Sequence, residues 1–489
     1  MTAPGPRNAA IVWFRRDLRV SDNPALSAAV AGGGPVIPVF VLSPEEEGKH
    51  PPGSASRAWL SRSLSALDGT LRSLGSRLVV RRGPSLRELL AVAARADAAA
   101  VHWNRLYEPS AGDRDDKVER GLAEGGIRPE SFPGSLLFEP GDVRSSGKGP
   151  FRVFTPFWRR CLSLSDPPAP NRTPRKLSPP PAWPDSLDLP DLPLPDPARD
   201  SSRNILREWE PGEKGAGASL SRFLDGALAD YPENRDRPDL PGTSRLSPHL
   251  HFGEISPGQV WRAVTARAAV DPERGVARGA EAFLRQIGWR EFAHHLLHHF
   301  PRTPEEPLRE EFSRFPWRQD EKGLDAWKRG QTGYPIVDAG MRELQATGWM
   351  HNRVRMIVAS FLVKDLLIPW QKGAAWFLET LVDADLANNT LGWQWVAGCG
   401  ADAAPYFRIF NPVTQGERYD PEGGYVRKWV PEIAGIPAAW IHRPWEAPTG
   451  VLREAGVRPD RTYPKPVVDH RAARERALGA LASMRKTGR

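Results

Sequence analysis

Short apolar runs alternate with helix-like stretches over the first hundred residues, and this alternation constrains the fold more than any other feature. The runs are residues 9–14, 36–42, 77–81 and, more weakly, 101–103. Between them lie amphipathic stretches at 54–74 and 84–96. Strands that alternate with helices predict a parallel, doubly wound α/β domain. Arg15-Arg-Asp-Leu-Arg19 follows the first run, so the Gly-x-Gly-x-x-Gly dinucleotide fingerprint is absent there.

The rest of the chain has a different character. Residues 166–198 contain 12 prolines among Ser and Asp, which predicts an extended, partly mobile connection. From about residue 203 the pattern is helical, and 13 of the 18 tryptophans lie there. We therefore predict an α/β domain at 1–140, a connection at 141–202 and a helical domain at 203–489. The tryptophans indicate that the helical domain carries the chemistry.

Composition limits the class of protein. A chain of 489 residues is too long for one core, which agrees with two domains. The formal charge of +8 and the pI near 9.6 are compatible with a polyanionic partner such as nucleic acid, although the excess is modest. Cys161 and Cys399 match no metal-site spacing and are expected to be reduced thiols. No signal peptide or membrane-spanning run is evident, so we expect a cytoplasmic protein without a membrane partner.

The segment from Asp383 to Trp395 mixes groups that rarely occur together. Its sequence, Asp-Ala-Asp-Leu-Ala-Asn-Asn-Thr-Leu-Gly-Trp-Gln-Trp, holds two acids, two amides and two tryptophans. Trp393 and Trp395 stand two apart, so on a helix they point in different directions. Carboxylates and amides beside indoles suit a buried, polar, redox-active ring system. The alternative is a packed helix with two core tryptophans and a capping pair of asparagines.

The segment Gly242-Thr-Ser-Arg-Leu-Ser-Pro248 has the groups that a phosphate requires. It offers hydroxyls, a flexible glycine and a Ser-Pro helix start, with Ser247 as the expected N-cap and Pro248 as the first helical residue. Backbone N–H groups and hydroxyls at such an entrance can bind a diphosphate. An ordinary capped loop explains the spacing equally well.

Two long strings resemble the photolyase/cryptochrome flavoproteins, and in particular photolyases that repair cyclobutane pyrimidine dimers (CPDs). One is Gly348-Trp-Met-His-Asn-Arg-Val-Arg-Met-Ile-Val-Ala-Ser-Phe-Leu-Val-Lys364, and the other is Asp383–Trp395 continued to Asn411-Pro412. The resemblance covers nearly the whole chain, from Trp13-Phe-Arg-Arg-Asp-Leu-Arg19 onward. It implies a Rossmann-like antenna domain followed by an all-α domain that binds FAD.

The resemblance also assigns the cofactor residues. It places Arg355 in a pair with Asp383 beside the flavin, Asp385 at the ribose and ring edge, and Asn389 opposite flavin N5. Plant cryptochromes carry Asp at the position of Asn389, so the amide favours a repair enzyme. The implied FAD-binding set is Tyr231, Thr243, Ser244, Arg245, Leu246, Ser247, Gln286, Arg290, Asn352, Arg355, Asp383, Asp385 and Asn389.

Trp393, Trp370 and Trp317 fall at the positions of the family's tryptophan triad. Indole is readily oxidised, and such a chain can pass an electron from the surface to an excited flavin. The resemblance puts Trp393 nearest the flavin, Trp370 in the middle and Trp317 at the exposed end. Without that resemblance, three widely spaced tryptophans are simply core residues.

Trp289 and Trp395 match the indoles that line the lesion cavity, where flat aromatic faces favour extruded pyrimidines. Asn352, Arg353 and Met356 complete the matching wall, and neither histidine of the six-four photolyases is present at 352 or 356. Gln286 departs from the Glu of common bacterial CPD photolyases, and six-four photolyases carry Gln there. Arg235, Arg353 and Arg408 are the residues expected near DNA phosphates, and solvated or ion-paired arginine is the alternative for each.

Two further segments complete the interpretation. His102-Trp-Asn-Arg-Leu-Tyr-Glu108 resembles the border of the antenna pocket, so Asn104 and Glu108 are candidate contacts of a reduced folate such as methenyltetrahydrofolate or of an 8-hydroxy-deazaflavin. A protein without an antenna is also possible.

His294-His-Leu-Leu-His-His299 has i,i+4 spacing that can bind zinc. No third type of ligand stands nearby, so we interpret it as a helix lining an interface and predict no metal.

The predicted function is light-driven repair of CPDs, with UV-damaged DNA as the partner and a monomer as the working unit. A cryptochrome-like photoreceptor, a six-four photolyase and a flavin-carrying DNA-binding protein without turnover are the alternatives.

Overall fold

The N-terminal part of the chain contains a five-stranded parallel sheet with the order β3-β2-β1-β4-β5. The computed structural model describes residues 9–145, 147, 149–164, 167, 169–195, 207–271, 275–402 and 407–486. The strands are β1 (Ala9–Phe14), β2 (Val36–Leu42), β3 (Val79–Arg82), β4 (Ala98–Asn104) and β5 (Arg128–Phe132). The central strands β1 and β2 are wholly buried, as expected for a parallel sheet covered on both faces. The predicted doubly wound domain is confirmed.

Two strands show where the sequence pattern was insufficient. β5 was not predicted, because Arg-Pro-Glu-Ser-Phe is polar and partly exposed at the edge of the sheet. β4 begins at Ala98, three residues before the predicted run, and the prediction missed this start because three alanines carry little strand signal.

The helices of this half are α1 (Pro24–Ala31), α2 (Ser54–Ser73), α3 (Ser85–Ala96), α4 (Pro109–Glu124) and α5 (Phe154–Ser163).

The described part of the proline-rich segment is docked on the sheet domain. Leu187 donates its backbone N–H to Val80 O (2.9 Å), and Ser186 Oγ accepts from Val80 N (2.9 Å). Leu177 donates to Leu74 O at the end of α2 and is fully buried. These bonds cover the free edge of β3, which would otherwise expose unpaired backbone groups. These residues are therefore hydrogen-bonded to the sheet domain, their partial mobility stays a prediction, and residues 165, 166, 168 and 196–198 lie outside the described residues.

The second half is helical, and among its described residues no strand longer than an isolated bridge occurs. Its helices are α6 (Glu213–Arg222), α7 (Tyr231–Asn234), α8 (Ser247–His251), α9 (Pro257–Val270), α10 (Val276–His299), α11 (Glu321–Arg329), α12 (Pro335–Thr347), α13 (Asn352–Ser360), α14 (Trp370–Thr380), α15 (Leu386–Ala397), α16 (Pro412–Tyr419), α17 (Gly424–Trp429), α18 (Ala438–Ile441), α19 (Thr449–Glu454) and α20 (His470–Lys486). π-Helical turns at Phe223–Ala227 and Phe361–Asp365 extend α6 and α13. The largest hydrophobic cluster lies in this half.

Two carboxylates join the two halves. The buried Glu291 on α10 accepts hydrogen bonds through Oε2 from Leu137 N (2.9 Å) and Phe138 N (3.1 Å). The half-buried Glu213 accepts through Oε2 from Val20 N and through Oε1 from Ser21 N. Burial raises the pKa of Glu291 from 4.5 to about 7, although Arg290 and the two N–H groups oppose the shift. The contact between the halves is therefore sensitive to pH near neutrality.

Replacing Glu291 by Gln is expected to stabilise the protein at pH 8 by about 3 kcal/mol, because a shift of about 2.5 pKa units corresponds to roughly 1.4 kcal/mol per unit. Between pH 4.5 and 7 the folded state keeps a proton that the unfolded state has lost, so stability of the wild type falls as pH rises. The amide does not titrate, and its oxygen can still accept both N–H groups. Denaturant unfolding from pH 4.5 to 8 checks this, with the exposed Glu281→Gln as control. An advantage that stays constant across this range would contradict it.

Candidate cofactor and substrate site

A cavity of about 320 Å³ opens in the helical half. Its wall comes from residues 231–247, from α10, from the start of α13 and from residues 383–388. All of the predicted cofactor-binding residues except Asn389 line it: Tyr231, Thr243, Ser244, Arg245, Leu246, Ser247, Gln286, Arg290, Asn352, Arg355, Asp383 and Asp385. The fold thus brings together residues that are up to 154 positions apart, from Tyr231 to Asp385.

The hydroxyl-rich segment forms one wall, with one correction to its predicted geometry. Ser247 is the first residue of α8 rather than its N-cap, and its hydroxyl accepts from Trp349 Nε1 (3.2 Å). Arg245 has a left-handed backbone (φ 53°), which is uncommon for a residue with a side chain. Its guanidinium lies over the rings of Trp209 (4.2 Å) and Trp349 (5.0 Å). Hydroxyls and a stacked guanidinium together suit a diphosphate.

Arg355 and Asp383 form the predicted ion pair. Arg355 NH2 lies 2.8 Å from Asp383 Oδ2 and 3.1 Å from Oδ1, while Arg355 Nε donates to Met350 O (2.7 Å). The Asp383 side chain is only 3 % exposed. Such a pair needs close hydrogen bonding to offset the loss of hydration, and the three bonds provide it. It presents a fixed donor and acceptor to a ring in the cavity.

Asp385 is held in place from two sides. Its Oδ1 caps α15 by accepting from Asn388 N (2.8 Å) and Asn388 Nδ2 (2.7 Å). Its Oδ2 lies 3.4 Å from His294 Nε2 and 3.9 Å from His251 Nδ1. Burial alone would raise the pKa of Asp385, but the two imidazoles hold it well below its usual value. An ionised acceptor therefore faces the cavity.

The structure differs from the prediction at the asparagine pair. Asn388 lines the cavity, whereas Asn389 donates its Nδ2 to Ala374 O (3.0 Å) on α14. One helical residue corresponds to a rotation of about 100°, so neighbouring side chains face different structures. The role of Asn389 opposite a flavin N5 stays a prediction, since its amide is engaged elsewhere in this structure.

The three predicted triad tryptophans meet in one hydrophobic cluster. Trp370 and Trp393 are each 2 % exposed, and Trp317 is partly buried at the edge of the cluster. The Trp393 indole packs on α14, where a Cβ at Gly373 would lie 2.1 Å from Cη2 of the ring. Gly373 stands three residues after Trp370, so the absence of a side chain there lets Trp393 approach this helix closely. Among the described residues, Trp393 also contacts Phe377 (5.0 Å) and Trp327 (6.2 Å).

The predicted lesion wall is only partly on the cavity. Trp289 lines it and is stacked on Phe154, with 3.9 Å between the ring centroids. Gln286 accepts through Oε1 from Arg235 NH2 (3.2 Å) and donates through Nε2 to Ala282 O (3.1 Å). Asn352 and Arg235 line the cavity as well.

The other substrate residues lie off the cavity wall. Trp395 packs partly buried on the main cluster, and Met356 is half-buried on α13. Arg353 is paired with Asp236 (2.6 Å) and lies over the Tyr419 ring, so a DNA phosphate would compete for its charge. Arg408 is exposed. For these four residues contact with DNA stays a prediction.

The antenna residues have different outcomes. Asn104 is 1 % exposed, and its amide is bonded to Asp17, Asn23 and the Ala25 N–H. Both N–H groups and one lone pair of the Asn104 amide are thus engaged within the α/β domain, and its contact with a chromophore stays a prediction. Glu108 lines an open groove of about 590 Å³ between the halves, although its carboxylate is ion-paired with Arg16.

Sequence reasoning missed some residues of the site. Trp349 lines the cavity and stacks on Arg245, and it stands inside the string that carried the resemblance. His251 and His294 flank Asp385, although no role was predicted for His251 and His294 was placed on an interface helix. The i,i+4 spacing of His294 and His298 resembles a zinc site, and it gave no indication of a contact with a carboxylate. No group of three or more potential metal ligands occurs among the described residues.

Fold and cavity together define a class: a two-domain protein with a doubly wound N-terminal domain and a helical domain built for a large nucleotide cofactor. The model of the DNA photolyase FAD binding domain matches residues 283–483, and the DNA photolyase model matches residues 10–175. The deoxyribodipyrimidine photo-lyase of Agrobacterium fabrum is 49% identical, covering 98% of both chains. Cryptochrome-1 of Arabidopsis thaliana is 43% identical over 98% of this chain and 71% of its own length.

A solved structure agrees with these relatives. The bacterial class III photolyase of Agrobacterium tumefaciens superposes with a TM-score of 0.94 at 48% identity, covering 99% of both chains. The chain belongs to the DNA photolyase/cryptochrome family. An FAD-binding domain is therefore present, as predicted. No helix in the described part of the chain is long and apolar enough to cross a membrane.

Proposed function

We propose that this protein is a DNA photolyase that repairs cyclobutane pyrimidine dimers under blue light. When bound, fully reduced and excited FAD supplies the electron that splits the dimer and recovers it afterwards, so no net redox change occurs. The observation that carries the proposal is the cavity in which Trp289, Gln286 and Asn352 meet the Arg355–Asp383 pair. The class III photolyase and the Agrobacterium photo-lyase support the same activity by their similarity.

The residues of the cavity have separate tasks in this proposal. Thr243, Ser244 and Arg245 hold the diphosphate, and the Arg355–Asp383 pair fixes the ring system. Trp289 stacks against the extruded lesion, and its face is held by Phe154 on the other side. Trp317, Trp370 and Trp393 supply electrons from the surface when the cofactor needs reduction. No side chain is required as an acid or base in the splitting step.

A photoreceptor is the second candidate, because Cryptochrome-1 of Arabidopsis thaliana is 43% identical. Repair assays separate the two. The purified protein, with its FAD reduced, is illuminated with an oligonucleotide containing one cyclobutane dimer, beside a dark control and a six-four oligonucleotide. Light-dependent loss of the cyclobutane dimer supports the proposal. Repair of the six-four lesion alone changes the substrate, and no repair with bound, photoreducible FAD leaves the photoreceptor.

Replacing Gln286 by Glu is expected to tighten binding of dimer-containing DNA. The new carboxylate would keep the contact to Arg235 as a charge-assisted bond and accept from the N–H groups of the dimer. A hydrogen bond to a charged group contributes about 1.5–3 kcal/mol, against about 1 kcal/mol for a neutral one. We therefore expect a dissociation constant about tenfold lower, measured in the dark by fluorescence anisotropy. Equal or weaker binding would show that Gln286 does not contact the lesion.

We further propose that an antenna chromophore, a reduced folate or a deazaflavin, occupies the groove beside Glu108. Absorbance of the purified protein after removal of FAD tests this. A monomer in the cytoplasm is the proposed working form, and both cysteines are buried and unpaired, as expected in a reducing compartment. Sedimentation at micromolar concentration checks the monomer.

A further inference from the structure

Three cavities follow one another in the structure. They are the cofactor cavity, a small cavity and the open groove between the halves. A small cavity of about 20 Å³ shares His251, Arg290 and Asp385 with the wall of the cofactor cavity. On its other side it shares Tyr107 and Glu108 with the open groove between the halves. One water needs about 10–15 Å³, so the small cavity can hold one. The small cavity therefore lies between the open groove and Asp385.

His294 lines the small cavity between the groove and the cofactor cavity. It is 4 % exposed, and its Nε2 lies 3.4 Å from Asp385 Oδ2. Both ring nitrogens are buried without a hydrogen-bond partner. Burying unpaired polar atoms is costly, and a water in the adjoining cavity would pair them. An imidazole can accept a proton on one nitrogen and release one from the other.

The surroundings of His294 are strongly charged. The side of the small cavity next to the groove has an ion pair between Arg16 and Glu108, and Oε1 of Glu108 is buried without a hydrogen bond. The side next to the cofactor has the ionised Asp385, whose Oδ2 lies 3.4 Å from His294 Nε2. The titratable and charged groups around His294, from every element that lines the small cavity or packs against it, are Arg16, Arg19, Tyr107, Glu108, His251, Arg290, Glu291 and Asp385.

We propose that His294 relays protons between the groove at Glu108 and the cofactor cavity at Asp385. The inference rests on the proposed function only for the identity of the cofactor as FAD. In the test reaction two molecules of an added thiol are oxidised to one disulfide and release two electrons and two protons. The bound cofactor takes both electrons and one proton, and the second proton stays in solution. The proton that is taken up passes His294.

The experiment is photoreduction of the FAD-loaded protein by a thiol, in H2O and D2O and across pH. His294→Gln is expected to slow the proton-limited rate by about 100-fold, the lower end of the effect of losing a positioned proton carrier. Imidazole added to His294→Ala should restore the rate. Nitrogen NMR of histidine-labelled protein gives a second readout, because the His294 signal should change protonation when the cofactor is reduced.

Controls make each outcome decisive. Glu281→Gln on the same helix is exposed, lies outside the groove and the small cavity, and should behave like the wild type. A His294→Gln protein with full FAD content and a rate within about twofold of the wild type overturns the relay. If that variant does not retain FAD, Glu108→Gln decides, because Glu108 lies outside the cofactor cavity, and an unchanged rate overturns the relay too. Repair is scored separately, so failure of repair leaves this test intact.

Discussion

Replacing Arg355 by Gln is expected to remove FAD from the purified protein and to destabilise the fold by about 3–5 kcal/mol. The Asp383 side chain is 3 % exposed, and its carboxylate accepts two hydrogen bonds from Arg355. The variant therefore leaves a buried carboxylate without this partner. The bond from Arg355 Nε to Met350 O, just before α13, is lost as well. Bound FAD per chain and urea unfolding followed by tryptophan fluorescence measure the two effects.

Two further variants isolate the cause. Arg355→Gln combined with Asp383→Asn removes both charges and should recover part of the stability, because no unpaired charge remains. Arg329→Gln breaks the exposed pair with Asp325 and should cost less than about 0.5 kcal/mol. If Arg355→Gln retains FAD and unfolds at the same urea concentration as the wild type, the pair does not hold the cofactor.

Replacing Trp393 by Phe is expected to abolish light-driven reduction of bound FAD. Phe keeps an aromatic ring against Gly373 and Phe377, but it is much harder to oxidise than indole. The loss of volume in the cluster should cost only about 1–2 kcal/mol, so the fold and the cofactor are expected to remain. Photoreduction by a thiol, followed through the absorbance of oxidised FAD, is the measurement.

Trp440→Phe is the matched control for this change. Trp440 packs partly buried on the same hydrophobic cluster but has no predicted part in electron transfer. Its variant should lose similar stability and keep the photoreduction rate. A Trp393→Phe protein that is photoreduced as fast as Trp440→Phe would show that electrons reach the cofactor by a path without Trp393.

The sequence by itself determined the two kinds of domain and most of the cavity. Apolar runs at the predicted places became β1 and β2, because parallel strands buried on both faces need continuous apolar residues. The run at 77–81 became the edge strand β3, of which only Val79 and Val80 are buried. Arg355 and Asp383 were paired from the resemblance, and they pair in the structure. Where polar or small residues form the element, as in β5 and the start of β4, the local pattern gave no signal.

The tertiary structure alone decided which neighbouring side chain faces which cavity. Asn388 and Asn389 are adjacent and chemically identical, yet the packing of α15 on α14 turns one to the cavity and ties the other to Ala374. Asn104 is flanked in sequence by residues that line the groove, but its own amide donates to Asp17 and Asn23 within the α/β domain. His294 meets Asp385 only because α10 crosses the start of α15. Residue types fix the available chemistry, whereas helix rotation and long-range packing fix the partner of each group.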